Sequence, residues 1–223
     1  MTPELSRSAE DYVKAIYSLT QSSGDAASTT ALADRLRLSP GSISTMVKRL
    51  DSAGLLEHVP YKGVRLTERG ERAALRIIRR HRLLELFLVE TLGIPWEQVH
   101  SYAEDLEHAA SDDLIEIIAA KLGNPTTDPH GDPIPDRDLV VEAMVTETLA
   151  ELPPGASGLL TRVSDAHPEM LRYLADHAIA LGSTVEMVSR EPFDGSYEVR
   201  IDRTLHTIAP ALARAMQVRA TVT

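Results

Sequence analysis

Residues 29–70, TTALADRLRLSPGSISTMVKRLDSAGLLEHVPYKGVRLTERG, decide how the first part of this chain folds. Leu32 and Leu36 recur at helical spacing, a turn follows at Leu38 and Ser39, and Ile43, Val47 and Leu50 share one face of a second helix. Ser39-Pro40 is a helix start, because the serine hydroxyl accepts an orphan backbone N–H and proline is tolerated at the first helical position. After Gly54 the pattern becomes alternating, with Val64 and Leu66 on one side of a strand and a turn around Tyr61, Lys62 and Gly63. This is a helix-turn-helix with a β-hairpin wing. The second helix turns Ser42, Ser44, Thr45, Lys48 and Arg49 away from its apolar stripe. With Ser39 and Pro40 at its start and Lys62 on the wing, these residues are the candidate DNA contacts: small hydroxyls allow close approach to base edges, and Lys and Arg suit phosphate.

Charge is distributed to match. The net charge of −10 alone argues against a polyanionic partner, yet Thr30 to Arg82 holds 12 Lys and Arg against 5 Asp and Glu. A basic module is therefore joined to an acidic remainder. At 223 residues and 43 % hydrophobic the chain can build two or three ordinary cores. The start, MTPELSRSAEDYVK, has no apolar signal segment and no apolar run nears 20 residues, so a cytoplasmic location without a membrane partner is expected.

Outward from the module, residues 8–19 (SAEDYVKAIYSL) form a helix capped by Ser8 with Tyr12, Ala15, Ile16 and Leu19 inward. A long helix runs from Glu68 to Gly93, a second begins near Pro95 and Trp96, and a third runs from its cap Ser111 to Gly123. Leu114, Ile117, Ile118 and Leu122 give the third an apolar stripe suited to a homodimer. Residues 124–138, NPTTDPHGDPIPDRD, have no period and read as loop or linker. Beyond them, three strand-like segments and one helix predict a small β-barrel of about five strands. The expected architecture is mainly α with a C-terminal β domain. It comprises a winged helix-turn-helix over 1–75, a helical domain over 76–125, a proline-rich linker with a connecting helix over 126–150, and the barrel over 151–223.

Metal-ligating residues cluster in the helical part. His100, Glu104, Glu107 and His108 lie at i, i+4, i+7 and i+8, which places them on one face of a helix, and His81 and Glu85 are a further pair four apart. A solvated helix face explains one such pair; several facing pairs point to a divalent cation. With no cysteine, the ligands are nitrogen and oxygen. Asp165, His167 and Glu169 are weaker candidates at the start of a helix in the last domain. His58 reads as a surface residue, His130 as part of the linker, and His177 and His206 as packing or solvent-facing residues.

In this order, SAEDYVKAIYSL, the wing ending in YKGVRLTERG, RRHRLLELFLVETLG, VHSYAEDLEHAASDDL and NPTTDPHGDPIP resemble the diphtheria toxin repressor family. These metal-dependent transcriptional regulators include iron-dependent regulators and manganese transport regulators. The resemblance implies a winged helix, a helical metal-binding and dimerisation domain, and an SH3-like domain of the kind found in ferrous iron transport proteins. It implies that Asp11, Glu104, Glu107 and His108 form a primary site. His81, Glu85 and His100 would form an ancillary one, completed by Asp165, His167 or Glu169. Iron-type members carry Met and Cys in the places of Asp11 and Glu104; carboxylates there make the site harder and favour Mn2+, with Fe2+ the alternative. Lys14 stands where a two-ion manganese relative carries another Glu.

The function so implied is a non-enzymatic, metal-dependent repressor of metal-uptake genes that binds double-stranded operator DNA as a homodimer, with no small organic substrate. Two other classes fit parts of the pattern: a winged-helix regulator that senses another effector without metal, and a metal-dependent hydrolase using the same His and Glu cluster.

Overall fold

The structure is a computed structural model that describes residues 5–193 and 195–220. The outer ends of the first and last expected domains, 1–4 and 221–223, lie outside the described residues. The chain divides into two compact units, one of residues up to His81 with 104–116 and 135–140, the other of 82–103, 117–134 and the residues from Val141 onward.

In the first unit, α1 (Arg7–Ser23), α2 (Thr29–Leu36) and α3 (Pro40–Ser52) are followed by β1 (Leu56–Val59) and β2 (Gly63–Leu66). The cap of α1 is Ser6, whose side chain accepts from the Ala9 N–H, rather than the expected Ser8, and the helix stops at Gly24 in the left-handed region (φ 71°). Tyr12, Val13 and Ile16 of α1 share one core with Leu32, Ile43, Val47, Leu50, Leu56 and Leu66. The hairpin pairs Leu56 with Leu66 and Val59 with Gly63, as the alternation requires. Gly63 is obligatory there: φ is 132°, and a Cβ would lie 2.1 Å from the Ala27 carbonyl oxygen. That close approach exists because Ala27 and Val64 exchange backbone hydrogen bonds of 2.9 and 3.0 Å, tying the wing to the α1–α2 loop.

The recognition-type helix α3 begins as expected. Ser39 Oγ accepts from the Ser42 N–H at 3.2 Å, and Pro40 occupies the first turn. Ser39→Ala should therefore lower stability by about 1 kcal/mol, visible as a lower melting temperature; an unchanged melting curve would deny the cap any part in holding α3.

Three helices follow, α4 (Glu68–Leu92), α5 (Val99–Leu106) and α6 (Asp112–Lys121), each contributing residues to both units. In the second unit β3 (Glu147–Thr148), β4 (Ser157–Val163), α7 (Pro168–Asp176), β5 (Thr184–Arg190), β6 (Tyr197–Ile201), β7 (Thr204–Ile208), α8 (Pro210–Ala215) and β8 (Met216–Ala220) build an SH3-like β domain. Its antiparallel sheet has the order β3-β8-β4-β5-β6-β7. Leu160, Leu171, Leu174, Met187, Val199 and Val218 fill its interior.

The expected connecting helix before residue 151 is not formed among the described residues. Residues 141–146 carry no regular structure, and β3 joins the sheet through Glu147–Val218 and Thr148–Gln217 pairs, ahead of the expected start of the barrel at 151. The expected dimer stripe on α6 also divides: Ile118 is buried, whereas Leu114 and Ile117 are exposed. Among the described residues no helix is long and apolar enough to cross a membrane.

Candidate metal centres

The first unit gathers one cluster from three places. α1 supplies Glu10, Asp11 and Lys14, α4 supplies Arg80 and His81, and α5 with the turn after it supplies Glu104, Glu107 and His108. The single helical face expected for His100, Glu104, Glu107 and His108 is corrected here. Helix α5 ends at Leu106, whose carbonyl accepts from both Ala109 and Ala110, so Glu107 and His108 project from a turn.

Glu107 is fully buried, and a buried carboxylate requires partners. It has them: His81 Nδ1 lies 2.6 Å from Oε2, and Lys14 Nζ lies 2.8 and 3.0 Å from the two oxygens. Lys14 also reaches Glu104 Oε1 at 2.7 Å. His108 Nδ1 donates to Glu10 Oε2 at 2.6 Å, and Glu10 in turn faces Arg80 at 3.7 Å. With that proton fixed on Nδ1, the other ring nitrogen offers its lone pair. His108 Nε2 is buried without a hydrogen-bond partner, 3.0 Å from Asp11 Oδ1 and 3.5 Å from Glu107 Oε1. An imidazole lone pair turned toward two carboxylates is the arrangement a cation satisfies, with Glu10 orienting the ring from behind. Burial pushes the Asp11 carboxyl above its ordinary range, and Glu104 and Glu107 add repulsion against the pull of His108.

The second unit holds a separate cluster. Glu85 of α4 is buried, with His100 of α5 at 3.2 Å from Oε1 and His130 Nδ1 at 3.8 Å from Oε2. Asp165, just past β4, meets His100 Nδ1 at 3.1 Å. His130 Nε2 donates to the Trp96 carbonyl at 2.8 Å, leaving Nδ1 buried without a partner and directed at Glu85. Asp128 completes this side: Glu85, Asp128 and His130 each bring a ligand atom within 4.8 Å of the others, and so do Glu85, His100 and Asp165.

Electrostatics here asks for positive charge. Burial, with Asp132 and Glu85 nearby, raises the Asp128 carboxyl to about 7. Burial opposes the His130 imidazolium, but Glu85 and Asp128 outweigh it and raise that histidine to about 9. Asp165 first, then Glu85, raises His100 to about 10. Burial would raise Asp165, but its bond to His100 prevails and holds it at about 2. Protons fill the role that a divalent ion would take over, since ligation displaces them. Both clusters thus fit a cation held by imidazole and carboxylate: each has an orphan ring nitrogen whose opposite nitrogen is already engaged.

Of the expected ancillary set, Glu85, His100 and Asp165 converge in the second unit, while His81 meets Glu107 in the first. His167 and Glu169 pair with each other at 3.3 Å on the surface; Pro168 starts α7 there and leaves both side chains exposed, outside either cluster. Glu10, Asp128 and His130 were not among the expected site residues. For Glu10 the available signal was its place beside Asp11. For His130 and Asp128 it was a histidine and acids confined by Pro129, Gly131 and Pro133 in an otherwise aperiodic loop.

On the winged module, Ser42, Ser44, Thr45, Lys48 and Arg49 are exposed together with Ser39 and Pro40. Ser44 and Thr45 turn their hydroxyls back to the Pro40 and Gly41 carbonyls at 2.9 Å. Lys62 pairs with Asp25 at 3.0 Å on the wing surface.

Comparison with known proteins matches three successive segments. Residues 4–64 match "Iron dependent repressor, N-terminal DNA binding domain", residues 67–136 match "Iron dependent repressor, metal binding and dimerisation domain", and residues 147–220 match the FeoA domain. The iron-dependent repressor IdeR of Mycobacterium tuberculosis H37Rv is 34 % identical over 186 residues, 73 % of this chain and 80 % of that protein. The regulator MntR of Lysinibacillus sphaericus is 37 % identical over 112 residues, 50 % of this chain and 79 % of that one. Among solved structures, a manganese-dependent transcriptional repressor in complex with manganese superposes with a TM-score of 0.91 at 42 % identity, covering 96 % of this chain and all of the other.

Proposed function

The chain belongs to the iron-dependent repressor family of metal-dependent transcriptional repressors, and from that premise we propose that it senses Mn2+, with Fe2+ as the alternative, and binds operator DNA as a homodimer. The observation that carries this reading is the orphan lone pair of His108 facing Asp11 and Glu107. The donors of this cluster are carboxylates and imidazole without sulfur, a hard set that suits Mn2+. The manganese-dependent repressor and MntR among the relatives favour the same ion, whereas IdeR is described as iron-dependent.

Coupling to DNA follows from α1. Asp11 faces the cluster while its neighbours Tyr12, Val13 and Ile16 lie in the same core as Ile43, Val47 and Leu50 of α3. Asp11, Glu107 and His108 would hold a divalent ion, whose charge would offset the repulsion between the two carboxylates. Asp11 so held would fix the azimuth of α1, and α1 the recognition helix packed against it. Where the ion prefers one placement of α1, it shifts the population toward it, and DNA that prefers the same placement is bound more tightly by a coupling of roughly 1–3 kcal/mol. Ser39, Ser42, Ser44 and Thr45 would approach the bases, with Lys48, Arg49 and Lys62 at phosphates. Leu114 and Ile117, exposed on α6, supply apolar surface for the dimer.

The test is binding to a duplex selected from random-sequence DNA, titrated anaerobically with Mn2+ and Fe2+. Binding should appear only with metal, at lower Mn2+ than Fe2+, and Asp11→Ala and Glu104→Ala should both lose the metal response. Binding that a chelator leaves intact would replace this reading with a metal-independent regulator.

A further inference from the structure

The Lys14 ammonium has the surroundings of a metal ion. Around Nζ stand Glu104 Oε1 at 2.7 Å, Glu107 Oε2 at 2.8 Å, Glu107 Oε1 at 3.0 Å and His81 Nδ1 at 3.2 Å. Three carboxylate oxygens converging on one point, with an imidazole beside them, are surroundings that suit a divalent cation, and a positive charge already sits there. Glu107 is common to this position and to the neighbouring one, where Asp11 and His108 converge. Two cation positions therefore share one buried carboxylate, and one of them is filled by a side chain.

Resting on the reading that Asp11, Glu107 and His108 hold a divalent ion, we propose that Lys14 is a tethered cation taking the place of a second one, so that this cluster admits one divalent ion and no more. Charge points the same way. The Lys14 ammonium already meets both Glu104 and Glu107, so a second divalent ion at this position would have to displace a positive charge that is in place, in a mostly buried setting where excess charge is costly. Nor is Lys14 loosely held. It rises from α1 one turn after Asp11 with its side chain only 20 % exposed, and three of its contacts are charge-assisted. Lys14 thereby sets metal stoichiometry, and it holds Glu104 and Glu107 in place for the ion that does bind.

The experiment counts Mn2+ per chain on the full-length protein by equilibrium dialysis, with electron paramagnetic resonance to detect coupling between ions. The proteins compared are the parent, Lys14→Gln, Lys14→Glu and Asp11→Ala. Lys14→Gln keeps the length and removes the charge; Lys14→Glu adds a ligand. Both should gain about one ion per chain over the parent, with a signal broadened by exchange between ions sharing Glu107. The melting temperature of Lys14→Gln should also rise more on adding Mn2+ than the parent's does. Equal counts and uncoupled signals in parent and both Lys14 variants would overturn the proposal. So would a parent that already carries the extra coupled ion, since Lys14 must then move aside. An Asp11→Ala protein that keeps the parent's full count removes the underlying reading of the cluster, and the proposal with it, an outcome distinct from the first two.

Discussion

Glu107→Ala should abolish metal-dependent DNA binding and destabilise the protein even without metal. Two separate costs are involved. Removing this fully buried carboxylate takes from His81 its partner at 2.6 Å and from Lys14 the carboxylate whose two oxygens it meets at 2.8 and 3.0 Å, and breaking one side of a buried ion pair typically costs about 3–5 kcal/mol. Lys14 keeps its 2.7 Å contact with Glu104 and some access to solvent, so the lower end, about 3 kcal/mol, is expected. In a chain of this size that corresponds to a fall in melting temperature of roughly 6–12 °C. The second cost is ligation: the orphan nitrogen of His108 loses one of the two carboxylates it faces, and DNA affinity in saturating Mn2+ should drop roughly 5–150-fold, the span of a typical coupling.

Comparison with Asp11→Ala separates the two. Asp11 is only half-buried, and burial raises its carboxyl above the usual range, so the folded protein pays for its charge rather than gaining from it. Its loss should leave the metal-free melting temperature nearly unchanged while cancelling the metal response. Calorimetry of metal-free protein alongside fluorescence anisotropy with labelled DNA distinguishes these profiles. A Glu107→Ala protein that melts like the parent and still responds to Mn2+ would remove Glu107 from the centre.

How far this arrangement could be read in advance depended on periodicity. The helices of the winged module were legible because Leu32, Ile43, Val47 and Leu50 repeat at a helical interval and bury accordingly, and the wing because Val64 and Leu66 alternate across a turn that only glycine can complete at residue 63. Which acids and histidines come together was legible too, since Asp11, Glu104, Glu107, His108, Glu85, His100 and Asp165 all lie in one cluster or the other. Their partition was not. Helical spacing says that His81 and Glu85 share a face, but which neighbours each meets depends on where other chain segments cross α4, and no local rule carries that information. The turn that ends α5 at Leu106 had the same effect, taking Glu107 and His108 off the helix. His130 and Asp128 were obscured for another reason: an aperiodic loop offers no face to assign, and only its anchoring to a strand brings these side chains to Glu85.

That anchoring sets up the second large effect, Gly131→Ala. The loop from 126 to 134 is fastened at several points. Thr126 and Ile134 bond across its neck at 2.8 Å, Asp128 accepts from the His130 and Asp132 backbone at 2.8 and 2.9 Å, and the His130 carbonyl accepts from Val163 N–H at 2.8 Å. Asp132 pairs with Arg162 at 2.8 Å and with Arg82 at 3.3 Å. Gly131 sits at the tightest approach, with φ 88° and a Cβ position only 2.0 Å from the Thr161 carbonyl oxygen and 2.8 Å from Arg162 Cα. Both obstacles are backbone of a paired strand, so β4 cannot yield; the loop must lift. Left-handed strain alone costs on the order of 1–3 kcal/mol, and lifting adds loss of the His130–Val163 bond and of the Asp132 pairings. A fall in melting temperature of roughly 10 °C is expected. The same displacement withdraws His130 Nδ1 and Asp128 from Glu85, so one Mn2+ should be lost from the equilibrium-dialysis count while the ion that depends on Asp11 is retained. If Gly131→Ala keeps the parent's melting temperature and full metal count, the loop does not carry ligands of the second centre, and the buried histidine, caught between Trp96 and Glu85, has only a packing role.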